Sequence, residues 1–210
     1  MTAAVIFDVG NTLLHLDYAW LAGHFGRPLG EVRAAEIEVR QGLSSHGGNY
    51  FVDVAARLGL PAEAGAAVLA EHDRRPEGLW CVPDRDAEPV LRELARRGLR
   101  LGVVSNADGR VRAQLERAGL APFFAVIIDS AEVGVSKPDP AIFRMAAARL
   151  GVAPAEAVYV GDIYQVDVAG ARAAGMRGLW LAPAGAPGGD FPERIERLSD
   201  ILATQDFGGA

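Results

Sequence analysis

The chain has 210 residues, half of them apolar, with a formal net charge of -6 and an isoelectric point near 5.2. That length suffices for one sizeable core, or one core with a smaller inserted domain, and an acidic chain without a basic tract argues against nucleic acid or a membrane surface as partner and for a small ligand. No apolar stretch reaches membrane-spanning length, no basic region precedes the first apolar run as a signal peptide requires, and a single cysteine, Cys81, can form no internal disulfide, so the expected location is cytoplasmic.

The first predicted element is Val5-Ile6-Phe7, an apolar run that stops at Asp8 and turns through Val9-Gly10-Asn11-Thr12. A short apolar run bounded by turn residues reads as a buried strand of a parallel sheet, and ligands of open α/β sheets bind beyond the carboxyl ends of such strands. Residues 15–80 then lose that pattern and read as helices: one capped by Asp17 and running through Phe25, then amphipathic segments at 31–41, 50–58 and 62–72. Residues 42–49 (Gly-Leu-Ser-Ser-His-Gly-Gly-Asn) have the composition of a flexible loop. A helical insert directly after the first strand is expected to lie over the strand ends, where it can close on a ligand and exclude water. Cys81 is expected to pack beside Trp80 and Val82.

From Pro83 the pattern is regular: helix 86–97, strand 99–104, helix 108–118, strand 123–128, helix 138–150, strand 157–160, helix 165–174 and strand 178–181, with glycines after the helices. A Pro/Gly loop at 184–189 precedes a last predicted helix at 192–202, and 206–210 reads as a frayed tail. Such alternation implies an α/β, Rossmann-like parallel sheet with helices on both faces. The expected division is a catalytic core of residues 1–14 and 83–210 with a helical cap domain at 15–82. No heptad seam indicates an oligomeric state.

Three later segments also place polar groups at strand ends. Val103-Val104-Ser105-Asn106 ends in a hydroxyl and an amide that can hydrogen-bond a phosphoryl oxygen. In Ser136-Lys137-Pro138-Asp139-Pro140, Pro138 fits the first position of a helix and leaves Lys137 just before it. Lys137 is the single lysine among 21 basic residues, as expected where guanidinium cannot substitute. Val158-Tyr159-Val160-Gly161-Asp162 runs on to Asp167, two carboxylates able to face a hard cation. Taken alone, Ser-Asn after a strand more often marks a turn and such a lysine is more often solvated, while Asp162 and Asp167 read as readily as a helix cap and a solvated face.

Taken in order, Asp-x-x-x-Thr, Ser-Asn, Lys-Pro and Gly-Asp-x-x-x-x-Asp resemble the haloacid dehalogenase superfamily over nearly the whole chain, including a cap inserted between the first two motifs; the phosphatase-like members share the Asp-Val-Gly-Asn-Thr-Leu form. The resemblance implies that Asp8 attacks phosphorus to give an aspartyl-phosphate, with Mg²⁺ held by Asp8, Asp162 and the Gly10 carbonyl and supported by Asp167. Ser105, Asn106 and Lys137 would bind the phosphoryl group, and Lys137 would also orient Asp8. The expected activity is a phosphatase acting on a small phosphorylated metabolite. One departure is Gly10, which stands where family phosphatases usually carry a second, proton-transferring aspartate. His15, Asp17, His24 and His46 are the candidates to replace it. Two alternatives stay open beside the phosphatase: a metal-independent 2-haloacid dehalogenase, which also lacks that second aspartate, and a binding protein that has lost turnover. A phosphonatase-like enzyme would need an imine-forming lysine in the insert, and residues 15–80 contain none.

Overall fold

The computed structural model describes residues 2–42, 50–182 and 193–204. Strand β1 (Ala4–Phe7) is flanked by β4 (Arg100–Ser105) and β6 (Ala157–Gly161), and the sheet extends through β5 (Val126–Asp129) on one side and β7 (Arg177–Leu181) and β8 (Arg194–Ile195) on the other. Every pairing in this six-stranded sheet, of order β5-β4-β1-β6-β7-β8, is parallel. Alternation along β1 explains the layers. Val5 and Phe7 pack under α5 (Ala87–Arg96) and α6 (Val111–Arg117), while Ala4 and Ile6 face α8 (Pro140–Leu150) and α9 (Ala169–Ala173); the short α7 (Ser130–Val133) follows β5. The chain leaves β1 for β4 on one side and returns through β6 on the other, so a crevice opens beyond the carboxyl end of β1.

The insert carries α1 (Tyr18–Phe25), α2 (Leu29–Gly42), α3 (Tyr50–Arg57) and α4 (Ala62–Arg74) around its own apolar cluster of Leu21, Val32, Phe51, Val54, Val68 and neighbours. Asp17 caps α1 as expected, accepting from the Trp20 N–H at 3.0 Å. Two strands lie where helix and loop were expected. β2 (Leu14–Leu16) and β3 (Trp80–Pro83) pair antiparallel at the two ends of the insert. Cys81 is half-buried in β3, its thiol pushed up mainly by burial. No helix among the described residues is long and apolar enough to cross a membrane.

Other expectations need correction. Pro140, not Pro138, takes the first turn of α8, because Asp139 caps it by accepting from the Ala141 N–H at 2.8 Å; Lys137 therefore sits in a loop. The expected helix at 165–174 opens as a wider π turn, Tyr164–Val168, because Asp167 folds inward and accepts the Ile163 N–H at 2.9 Å. The helix expected from 108 begins at Val111, and the strand expected from 123 begins at Val126 after a 3₁₀ turn, Ala121–Phe123. Residues expected in a last helix form β8 and a 3₁₀ helix, Leu198–Ala203: the edge of β7 recruits the chain through Trp180 N–H to Glu193 O (2.8 Å) and Ala182 N–H to Ile195 O (2.9 Å). The loops expected at 42–49 and 184–189 and the tail at 206–210 lie wholly or almost wholly outside the described residues.

Candidate active site

Four sequence-distant segments meet at the carboxyl ends of β1, β4 and β6. Asp8 follows β1, its N–H held by Val160 O at 2.8 Å. Ser105 closes β4 and donates to Asp8 Oδ1 at 3.2 Å; Lys137 Nζ donates to the same oxygen at 2.6 Å. Among the described residues no hydrogen bond reaches Asp8 Oδ2, so one oxygen is tied and the other is left to react. Lys137 Nζ also donates to Asp167 Oδ1 (2.7 Å) and Tyr159 Oη (2.9 Å), which spends all three of its hydrogens. Burial alone would lower the Lys137 pKa, but Asp167 and Asp8 outweigh it and hold the ammonium charged.

Asp8, Asp162 and Asp167 are all buried, with one oxygen of each within 4.8 Å of the others. Burial, with Asp8 and Asp167 adding and Arg40 opposing, pushes Asp162 up to about 7. Asp167 is likewise raised by burial against the pull of Lys137. Gly161 is what allows Asp167 to pack inward, since a Cβ there would lie 2.3 Å from the Asp167 carboxyl carbon. Both Asp167 oxygens are occupied, by Lys137 and by the Ile163 N–H, whereas among the described residues only Oδ2 of Asp162 is taken, by Arg40. Thr12, the last residue of the first motif, is buried in the turn after Asp8, its Oγ1 without a hydrogen-bond partner.

Asn106 clamps the Lys137 backbone, donating from Nδ2 to its carbonyl (2.9 Å) and accepting from its N–H at Oδ1 (2.8 Å). Its side chain thus positions the lysine loop, leaving the second amide hydrogen and the backbone for any phosphoryl contact. Gly10 lines the cavity beside Asp8, and a Cβ there would lie 3.3 Å from the Trp80 indole nitrogen.

The structure does not bring the expected acid–base substitutes to Asp8. His15 bonds Asp84 at 2.8 Å, Asp17 caps α1 and His24 stacks on Trp20. None of the three lines the cavity at Asp8, and His46 lies outside the described residues. The fourth histidine, His72, does line it.

His72 was not singled out from the sequence, nor were Glu36 and Arg40, although their spacing carried the signal. Glu36 and Arg40 share the buried face of α2 with Val32, Ala35 and Val39, and His72 shares that of α4 with Gly65 and Val68. Arg40 reaches from the insert to pair with Asp162 and also with Glu36 at 3.0 Å. Glu36 in turn accepts from Tyr50, from Tyr18 at 2.7 Å and from Asn11 at 3.3 Å. Tyr159, the remaining omission, carries the Lys137 ammonium on its hydroxyl and passes its own hydrogen to Val104 O at 2.8 Å.

These residues fit a divalent cation. Among the described residues, Asp8, Asp162, Asp167 and Glu36 pair only with Lys137 and Arg40, so four buried carboxylates meet two cations there and two negative charges remain unbalanced. The donors are all oxygens, as a hard cation prefers.

A hydrolase family described as haloacid dehalogenase-like hydrolase matches residues 2–175. The chain is 38% identical over 194 residues to a glyceraldehyde 3-phosphate phosphatase from Methanopyrus kandleri, covering 84% of this chain and 82% of that protein. A phosphoserine phosphatase from Thermus thermophilus is 50% identical over 97 residues, which are 46% of this chain and 39% of that protein. Among solved structures, a phosphatase of the same superfamily from Thermococcus onnurineus superposes with a TM-score of 0.66 at 25% identity over 97% of both chains. An L-2-haloacid dehalogenase, at 22% identity and a TM-score of 0.71 over 96% of this chain and 97% of that one, shares the fold. With strand order, motif order and family match in agreement, the chain belongs to the haloacid dehalogenase-like hydrolases.

Proposed function

We propose that this protein is a Mg²⁺-dependent phosphatase of a small phosphorylated metabolite, acting in the cytoplasm, with residues 15–82 as a cap over a core of residues 1–14 and 83–210. The observation that carries the reading is Asp8: Oδ1 is fixed by Ser105 and Lys137 while Oδ2 is left unbonded at a cavity of about 440 Å³. Oδ2 attacks phosphorus, forming an acyl phosphate as the bond to the leaving oxygen breaks; water then cleaves the phosphoryl group from Asp8. Lys137 holds Asp8 in line, and its charge lets an anionic nucleophile approach an anionic ester. On substrate binding Ser105 would turn its one hydroxyl hydrogen from Asp8 Oδ1, which Lys137 still holds, to a phosphoryl oxygen, and Asn106 would present its second amide hydrogen; Asp8, Asp162 and the Gly10 carbonyl would hold the cation, with Asp167 behind them. Bound there, Mg²⁺ supplies the positive charge that two carboxylates otherwise lack. Phosphatases among the relatives support this reaction.

Phosphate and halide release measured with and without Mg²⁺ tests the reading. Metal-dependent phosphate release supports it, metal-independent halide release makes the protein a 2-haloacid dehalogenase, and neither makes it a binding protein. Binding of the cation is checked separately by thermal unfolding. Mg²⁺ at a hundredfold excess over its dissociation constant should add about 2.7 kcal/mol to stability. Asp162→Asn should abolish that shift and Asp167→Asn only reduce it, because both Asp167 oxygens are already engaged. The opposite ranking would exchange the two roles.

Gly10 makes a kinetic prediction. General acid catalysis is worth roughly 10²–10⁴-fold, so without a carboxyl at position 10 an aryl phosphate should react far faster than an alkyl phosphate, with an initial burst as the Asp8 phosphate accumulates. Gly10→Asp should raise alkyl turnover, since its Cβ requires the Trp80 indole, 3.3 Å away, to yield only by a few tenths of an ångström. Equal rates with no burst would show that another group, His72 first, already transfers the proton.

A further inference from the structure

Besides the residues of the phosphoryl site, the cavity over Asp8 is lined by Phe51, Leu69 and Trp80 and by polar groups that do not belong to that site. Chief among these is Asp108, on the loop after β4. Its side chain is 43% exposed, and its position is over-determined. The Leu79 N–H donates to His72 Nδ1 at 3.0 Å, so the ring hydrogen resides on Nε2, which donates to Asp108 Oδ2 at 3.0 Å. On the core side, Asp129 accepts the Gly109 N–H at 2.9 Å and holds the same loop. The His72 hydrogen bond, aided by Arg110 and opposed by burial, keeps the Asp108 carboxyl below the usual carboxylate range. The volume of about 440 Å³ suits a small molecule.

The charge inventory of this cavity is one-sided. Its cation is Lys137, whose three hydrogens are spent on Asp8, Asp167 and Tyr159, and no arginine is among the described lining residues. Arg110 stands behind Asp108, outside that lining, and is already engaged by Asp108 Oδ2 and Asp73 Oδ1 at 3.5 Å each and by the His72 carbonyl at 2.8 Å, so a carboxylate on the leaving group would meet Asp108 with no uncommitted cation among the described lining residues. A hydroxyl or ammonium would find an ionised acceptor, and an ionised carboxylate accepts but does not donate.

We propose that Asp108 forms a leaving-group subsite, selecting phosphate esters of alcohols that carry a further hydroxyl or an ammonium group and rejecting those that carry a carboxylate. This inference rests on the phosphatase reading above and names its substrate class. Discrimination here comes from an unpaired like charge as much as from an added contact.

The test compares kcat/KM for phosphoethanolamine, glycerol 1-phosphate and phosphoglycolate, with p-nitrophenyl phosphate as a control that needs no subsite. The native enzyme should prefer each of the first two over phosphoglycolate by about tenfold or more, a modest factor for a half-exposed charge. In Asp108→Asn, whose amide oxygen can still accept from His72, that ratio should fall toward unity, mainly through KM. Equal use of the three esters beside good turnover of the aryl phosphate would overturn the subsite and leave the phosphatase reading standing. So would a preference unchanged in Asp108→Asn. Loss of aryl phosphate turnover as well would overturn the phosphatase reading, and the subsite with it.

Discussion

Asp8→Asn lowers metal-dependent phosphate release by at least ~10⁴-fold, the scale of losing a nucleophile whose work no neighbour can take over, while the protein unfolds at or above the native temperature. The amide oxygen can occupy the place of Oδ1 and keep the donors Ser105 (3.2 Å) and Lys137 (2.6 Å), so the local frame survives. What is lost is the anionic Oδ2. Removing that charge also relieves repulsion with Asp162 and Asp167, both of which Asp8 pushes toward the protonated form. Kinetics and thermal unfolding on the same preparation check both halves. A variant that folds and still releases phosphate at a substantial rate would remove Asp8 from the nucleophile's role.

Lys137→Met is expected to cost about 3–5 kcal/mol of stability, the range for removing one partner of a buried ion pair. The ammonium is 3% exposed and lies between Asp8 and Asp167, so its removal leaves two buried carboxylates without their shared cation. Lys137→Arg separates charge from shape. Three acceptors at 2.6, 2.7 and 2.9 Å surround a single nitrogen, and a planar guanidinium cannot direct its hydrogens to all three from one point. The arginine variant should regain part of the stability and still lose most of the activity. Denaturant titration and steady-state kinetics of both variants decide the matter, and near-native kinetics for Lys137→Arg would mean that the lone lysine is a compositional accident.

The two halves of the chain were not equally legible. Beyond Pro83 most elements lie within a few residues of the sequence-based reading, because helices and buried strands there carry their own periodicity and stop at glycines. Reading failed where a tertiary partner overrode local preference. The wider turn at Tyr164–Val168 follows from Asp167 folding back onto the Ile163 N–H. The short strand at Arg194–Ile195 follows from the open edge of β7, and the β2–β3 pair from the need to join the insert to the core at both ends. Only side-chain contacts show that Asn106 serves the backbone of Lys137, which no local pattern at Ser105-Asn106 could announce.

By itself the sequence determined the α/β order, the helical insert, and the placing of Asp8, Ser105 and Asp162 at strand ends, since each depends on residues that are neighbours in the chain. The tertiary structure alone decided which charges are buried and what they meet. Arg40 and Asp162 pair across 122 positions, Lys137 and Asp8 across 129, and His72 and Asp108 across 36. The energy of a buried charge is set by what surrounds it in space, and the chain brings those surroundings together only when the insert and the sheet have folded against each other.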